Sequence, residues 1–470
     1  MKDRYIASLD LGTGKFALSV ARVTGEDVQV LYYRETPSDG MRYGRIFNPI
    51  RASVPLKEAI RNAEDELGIK IRQVVVGLPR YGVRQESASA SAQRSDPGSC
   101  ITQDEIDTIK NMALDTYPLE DEMREEMYGA VAQSFSTEDA LNFSEHDVVG
   151  MPSANLEGNF KVFVGTKKAV SNIDILLANA GVAEATKYFL PTSTADAVLS
   201  AEEKENGVAL IEIGAGVTSV TIYQDNIMRY YYAIPFGGRN ITTDIKYECG
   251  FTEKLAENIK LAFGACMPEK LQNLSEKILQ INDDESGIPK TVSVKYLSEI
   301  ITARVKEIVD AILFKIQESG YADRLRNGIV LTGGCADLLN CSNFIKQLSG
   351  FNVRVGYPHS KKLSTGGCAG IGETGAAASV GMLILASADS HIDCASEKSR
   401  RDAPSPARNA RNNEKAEPQQ EIFAPGEIEV VDAPKAEKPK KPKKEKSQIT
   451  WIKQKINNFM GDLYDGMDEQ

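Results

Sequence analysis

Twice in this chain an acidic residue stands two places ahead of a G-x-G turn. Asp10 precedes Gly12-Thr13-Gly14-Lys15, and Glu212 precedes Gly214-Ala215-Gly216-Val217-Thr218. Glycines leave no Cβ in the way, so backbone N–H groups in such a turn can approach phosphate oxygens. Thr13 and Thr218 add hydroxyls, and Lys15 adds an ammonium. The two carboxylates suit a magnesium ion held mainly through water. A third turn, Gly333-Gly334, follows the buried-type run Ile329-Val330-Leu331. One such turn is an ordinary surface feature; the pair together with Gly333-Gly334 points to a phosphate clamp. Neither hairpin is a P-loop, and no G-x-G-x-x-G run is read as opening a helix, so a dinucleotide-binding turn is not expected.

Each turn needs two strands to carry it. Tyr5–Val20 and Val208–Asn226 both read as apolar strand, glycine turn, apolar strand. Sliding one onto the other by 202 positions places Asp10 on Glu212, Leu11 on Ile213, Gly12 on Gly214, Gly14 on Gly216 and Leu18 on Val220. Two similar half-domains facing a shared cleft are expected. Further strands are expected at Val28–Tyr33, Gln73–Gly77, Lys161–Gly165, Tyr230–Pro235, Gly328–Thr332 (ending on the Gly333-Gly334 turn) and Val353–Val355. Helices are expected at Leu56–Leu67, Thr102–Met112, Ser171–Ala180, Thr192–Glu203, Leu297–Glu318, Leu338–Leu348 and Gly375–Leu385, with 241–300 mostly helical.

The 470 residues allow two or more domains, and 42% hydrophobic residues is ordinary for a globular chain. A net charge of -11 argues against general nucleic-acid binding. Seven scattered cysteines without a CxxC pair suit free thiols in a reducing compartment. His146, His359 and His391 are too far apart in sequence to suggest a metal site. The start, MKDRYIASLDLG, has no apolar core of a signal peptide. From Asp389 to Lys446 only six residues are large apolar ones, and seven of the 19 prolines fall there. That composition predicts a disordered linker.

Beyond it, Ile449, Ile452, Ile456, Phe459, Met460 and Leu463 fall in one arc of about 100° on a helical wheel. Trp451 lies nearer the polar face, and seven lysines between 435 and 446 precede the helix. The pattern fits an in-plane membrane helix, each lysine near an anionic leaflet contributing about 1 kcal/mol. It fits a helix docked on a partner protein equally well.

Two such hairpins followed by strand-Gly-Gly resemble the phosphate-1, phosphate-2 and adenosine motifs of the actin/Hsp70/sugar-kinase ATPase superfamily. Ile234-Pro235-Phe236-Gly237-Gly238-Arg239-Asn240-Ile241-Thr242-Thr243-Asp244-Ile245 resembles the segment after phosphate-2 in the bacterial FtsA family. Leu255-Ala256-Glu257-Asn258-Ile259-Lys260-Leu261-Ala262-Phe263-Gly264 is similar to the AE-x-x-K-x-x-x-G element of FtsA and MreB. Residues 73–170 resemble the FtsA-specific insert.

The resemblance implies an actin-like α/β ATPase fold, two similar halves around a nucleotide cleft, each with a mixed five-stranded sheet and helices. Its parts would be subdomain 1A (1–80 and 169–204), an inserted subdomain 1C (81–168), 2A (205–240 and 301–388), 2B (241–300), the linker (389–446) and a membrane-targeting helix (447–466). ATP and Mg2+ are the implied cofactors. The phosphates would meet Gly12, Thr13, Gly14, Lys15, Gly214, Ala215, Gly216, Val217, Thr218 and Gly238. The ribose and purine would meet Glu257, Lys260, Gly333 and Gly334, and the metal Asp10 and Glu212. Implied partners are the C-terminal tail of FtsZ (bound near 241–300), further copies of the chain in filaments, the anionic inner face of the cell membrane at the division site, and other division proteins.

Two departures matter. Phosphate-2 has Glu212 and Ala215 where the family usually has Asp and Gly. Leu190 stands where related ATPases place a residue that orients the attacking water, so weak turnover is implied. A small-molecule kinase of the superfamily, or an MreB- or PilM-like filament or pilus ATPase, is the alternative. The lysine-rich tail with an amphipathic end argues against each.

Overall fold

The computed structural model describes residues 3–139, 141–281, 290–361, 363–397, 423 and 428–432. The chain divides into two compact units. The first comprises Met1–Asn240, Lys306–Asp337 and Cys341–Asn409; the second comprises Ile241–Val305, Leu338–Asn340 and Ala410–Gln470.

The first unit holds two sheets of matching plan. Its strands are β1 (Arg4–Leu11), β2 (Lys15–Thr24), β3 (Asp27–Pro37), β4 (Gln73–Gly77), β5 (Glu184–Tyr188), β6 (Val208–Ile213), β7 (Thr218–Gln224), β8 (Ile227–Ile234), β9 (Ile329–Thr332), β10 (Val353–Val355) and β11 (Leu363–Ser364). One sheet runs β5-β4-β1-β2-β3-β11, the other β10-β9-β6-β7-β8. In each, the hairpin strands pair antiparallel and the strands beyond the first pair parallel. β1 and β6 are buried on both faces over Ile6–Leu9 and Val208–Ile211, so burial there is consecutive rather than alternating.

The 202-position offset extends to the ladders. Asp10 pairs with Ala17 and Glu212 with Ser219, and the β-bulges fall at Val20/Ala21 and Ile222/Tyr223. The first sheet departs from the expected five strands. β11 adds a sixth, two residues long and parallel to β3.

A helix from Ala377 to Ala388 packs on the first sheet and against the helix Leu190–Val198. A Cβ on Gly381 would lie 2.0 Å from the Ser193 carbonyl, so the two helix backbones meet at van der Waals distance. Arg84–Gln93, Glu125–Ser136 and Asn155–Thr166 form a separate three-stranded antiparallel sheet. The helix Gln103–Thr116 covers it, closed by a capping box between Thr102 and Glu105. Ile101, Ile106, Ile109, Phe135 and Phe160 form the core of this layer.

In the second unit, the 241–300 stretch is less helical than the sequence spacing predicts. Lys277–Ile281 and Lys290–Ser293 pair antiparallel, because Leu279 and Ile281 alternate onto a buried face. The helix expected over Thr192–Glu203 is two helices. The first ends at Val198 with Leu199 as its cap, and Ser200 caps Ala201–Asn206 through a second capping box with Glu203.

The stretch from 389 is not featureless either. Ala395–Glu397 pairs with Ile69–Ile71, while in the second unit Ile428–Asp432 pairs with Lys277–Ile281. Few apolar residues suffice there, because an existing strand edge supplies the backbone partners. The rest of the linker, and the helix expected at 447–466 with Ile449, Trp451, Ile452, Ile456, Phe459, Met460 and Leu463, lie outside the described residues.

Candidate functional site

The first unit brings the two glycine turns into contact. A Cβ on Gly14 would lie 2.9 Å from the Ala215 Cβ, and one on Gly216 would lie 2.7 Å from the Thr13 side chain. Both positions therefore need glycine for close approach, independently of any ligand. The first turn is braced from outside. The Gly44 N–H donates to Thr13 Oγ1 (2.7 Å), and Ser38 Oγ donates to the Thr13 carbonyl (2.7 Å). The second turn closes on itself through the Gly214 N–H to the Val217 carbonyl (2.9 Å). It is held from below by the first turn of the helix Gly238–Cys249. There Gly238 N–H donates to the Gly214 carbonyl (2.9 Å) and Arg239 N–H to the Ala215 carbonyl (2.7 Å). Gly238 is thus committed to the turn. Thr218 Oγ1 is buried and donates to the Phe236 carbonyl (2.9 Å), so its hydroxyl fixes the strand end.

Lys15 is paired with Glu35, which also accepts from the Tyr33 hydroxyl (2.6 Å). Burial, followed by Glu35, pushes the Tyr33 phenol well above its usual range. Gly333 has φ +88, and a Cβ there would meet the Ile213 backbone; Gly334 faces open space.

Beside this turn sits a group that the sequence reading missed. Thr374 Oγ1 donates to Asp337 Oδ2 (2.8 Å) and lies 3.0 Å from the Gly333 carbonyl. Burial raises the Asp337 carboxyl, with Thr374 and the nearby Lys15 opposing. The available signal was Gly370-Ile371-Gly372-Glu373-Thr374-Gly375, a G-x-G-x-x-G run that leads into the helix Ala377–Ala388 and corrects the expectation that no such run opens a helix.

The two acids converge, but on an arginine. Arg80 Nη1 lies 3.9 Å from Asp10 Oδ1, and Arg80 Nη2 lies 2.8 Å from Glu212 Oε1. The three side chains are only 14%, 14% and 16% exposed, for Arg80, Asp10 and Glu212. Burial lifts the Glu212 carboxyl above its usual range; Arg80 opposes this and Asp10 adds to it. Burial also works against the charged guanidinium, yet Glu212 and Asp10 hold its pKa above the usual value.

Arg80 ends the segment Leu78-Pro79-Arg80 at the exit of β4. The Leu78 N–H bonds the Tyr188 carbonyl (2.8 Å), and the Tyr231 hydroxyl donates to the Arg80 carbonyl (2.6 Å). Tyr231 is itself packed in an aromatic group with Phe163 and Phe189. This arrangement does not fit the magnesium site expected at Asp10 and Glu212. The 2.8 Å ion pair leaves no water layer between Glu212 and a cation already in place, and a water-held magnesium needs one.

Leu190 is buried at the head of its helix. A Cβ on Gly77 would lie 2.3 Å from the Leu190 side chain, so this residue is packing and offers no polar atom. In the second unit, Lys260 is buried and its Nζ donates to Glu257 (2.8 Å) and to Thr242 Oγ1 (2.9 Å). Thr242 also donates to Glu257. Glu257 and Lys260, expected at the ribose and purine, form one network one helical turn apart. Among the described residues there is no cluster of three or more potential metal ligands. No helix among them is long and apolar enough to cross a membrane.

Residues 209–380 match the family model of the cell division protein FtsA. FtsA of Neisseria meningitidis serogroup B is 29% identical over 362 residues, covering 76% of this chain and 84% of that protein. FtsA of Streptococcus pneumoniae is 26% identical over 358 residues, with 76% of each chain covered. Among solved structures, the PilM-PilN type IV pilus biogenesis complex aligns with a TM-score of 0.56 at 15% identity, covering 82% of this chain and 98% of that one. That last likeness concerns the fold alone. Repeated sheets, paired glycine hairpins and these matches agree: the chain carries an actin-like ATPase fold and is related to the FtsA cell division proteins, which supports a role in cell division.

Proposed function

We propose that this chain is an ATP-binding, actin-like cell division protein that assembles on the cytoplasmic face of the cell membrane and tethers FtsZ there. The observation that carries the reading is relatedness to FtsA over three quarters of the chain. The two glycine turns packed against each other in the first unit support a phosphate cradle. The nucleotide's phosphates lie along Gly12, Thr13, Gly14, Lys15, Gly214, Ala215, Gly216 and Val217. Glu257 and Lys260, with Gly333 and Gly334, serve its ribose and purine. Turnover is slow, because the apolar Leu190 cannot orient water. Membrane binding belongs to the amphipathic stretch 447–466 and its lysine-rich approach, and FtsZ-tail binding to 241–300. The division site and self-assembly into filaments complete the reading.

The test is co-pelleting of the full chain with anionic liposomes, with and without residues 447–470, in the presence of the FtsZ C-terminal peptide. The expected result is lipid-dependent pelleting that carries the peptide down and that the deletion abolishes. Pelleting unaffected by the deletion overturns the membrane reading; peptide left in the supernatant overturns the tether.

A further inference from the structure

The ion triplet Asp10–Arg80–Glu212 has no role in the reading above. Two carboxylates from the two repeated hairpins converge at the floor of the turns, and the cation they meet belongs to the chain. It is held by covalent geometry and by Tyr231, not by an exchangeable hydration shell. Asp10 Oδ1, Arg80 Nε and Arg80 Nη2 are all buried without an aligned hydrogen-bond partner among the described residues, the contact of Nη2 with Glu212 being an ion pair. A buried guanidinium with a spare donor, under a glycine turn, is suited to an anionic oxygen. A divalent ion placed between the same carboxylates would be repelled by the guanidinium at close range and in a poorly screened setting.

We infer that Arg80 is a built-in counter-cation that replaces the divalent metal in this cradle, so that the chain binds a nucleoside triphosphate as the free anion, without a metal requirement. The inference rests on the nucleotide reading. In it Arg80 is a binding and charge-balancing residue. It balances Asp10 and Glu212 when the cradle is empty, and its spare donor meets phosphate oxygen when the cradle is filled. Arg80→Gln should reverse the preference, because it frees two carboxylates for a hydrated divalent ion.

The experiment is equilibrium binding of ATP to the full chain in excess magnesium and in excess EDTA. It is run on the natural protein, on Arg80→Gln and on the charge-retaining Arg80→Lys. For the natural protein the two dissociation constants should agree within about threefold, well under the tenfold that marks a lost contact. Arg80→Gln should bind at least about tenfold more weakly in EDTA and recover in magnesium, while Arg80→Lys stays nearly metal-independent. ATP binding by the natural protein that falls tenfold or more in EDTA overturns the inference and leaves the nucleotide reading standing. No ATP binding in either buffer overturns both. The natural-protein comparison decides the matter even if Arg80→Gln does not fold.

Discussion

The two sheets of the first unit share the order of five strands, hairpin register and bulge position, yet two matching strand exits differ. Val75 lies opposite Ser8, and Val330 lies opposite Leu210. By that alignment, Leu78-Pro79-Arg80 at the exit of β4 matches Gly333-Gly334-Cys335 at the exit of β9. One exit is hydrogen-bonded in place at Leu78 and Arg80 and delivers a guanidinium to the acids of both hairpins. The other is bare backbone, with Gly333 tight against β6 and Gly334 open. A repeat preserves what the sheet needs, namely register and apolar strands. Its loops, free of the ladder, are where the halves acquire different chemistry.

Four substitutions break or sharpen this contrast. Arg80→Gln should have the largest effect, because it leaves two mostly buried carboxylates without their cation. A loss of about 3 kcal/mol at neutral pH is expected from urea unfolding. The deficit should depend on pH. The Glu212 carboxyl is raised in the folded state, so its ionisation costs stability as pH climbs above the unfolded value of about 4.3. Arg80 offsets that cost. The variant should therefore approach the natural protein as pH falls and diverge as it rises; a deficit flat from acid to neutral pH would remove the charge explanation.

Gly333→Ala comes next, at about 2 kcal/mol, from positive φ and from contact with the Ile213 backbone. Tyr231→Phe, which deletes the hydrogen bond to the Arg80 carbonyl, should cost about 1 kcal/mol. It should also loosen the metal-independence of ATP binding. Gly334→Ala, only one residue beyond Gly333, should stay within about 0.5 kcal/mol by thermal or urea unfolding, since nothing lies within 4 Å of the added Cβ. Equal losses at Gly333 and Gly334 would mean that the exit of β9 is not built as described.

Much of this was legible in advance, and for local reasons. Gly12, Gly14, Gly214 and Gly216 announce tight turns, the flanking Val, Ile and Leu announce buried strands, and Thr102 with Glu105 announces a helix start. Each of these signals acts within a few residues. The strands at Lys277–Ile281 and Ile428–Asp432 were missed because a short five-residue run is weak evidence until a neighbouring edge pairs with it.

The sequence by itself determined that two acid-bearing glycine hairpins exist and that they are copies of one design. Only the tertiary structure decided what the acids face. Arg80 is remote in sequence from both Asp10 and Glu212, and no spacing rule links them. It reaches them because β4 runs parallel beside β1, the Leu78 N–H is tied to the Tyr188 carbonyl, and Tyr231 from the other sheet pins the Arg80 carbonyl. Hairpin turns are fixed by local backbone sterics, whereas a long-range ion pair is fixed by the packing of separate strands and appears only when the sheets are assembled.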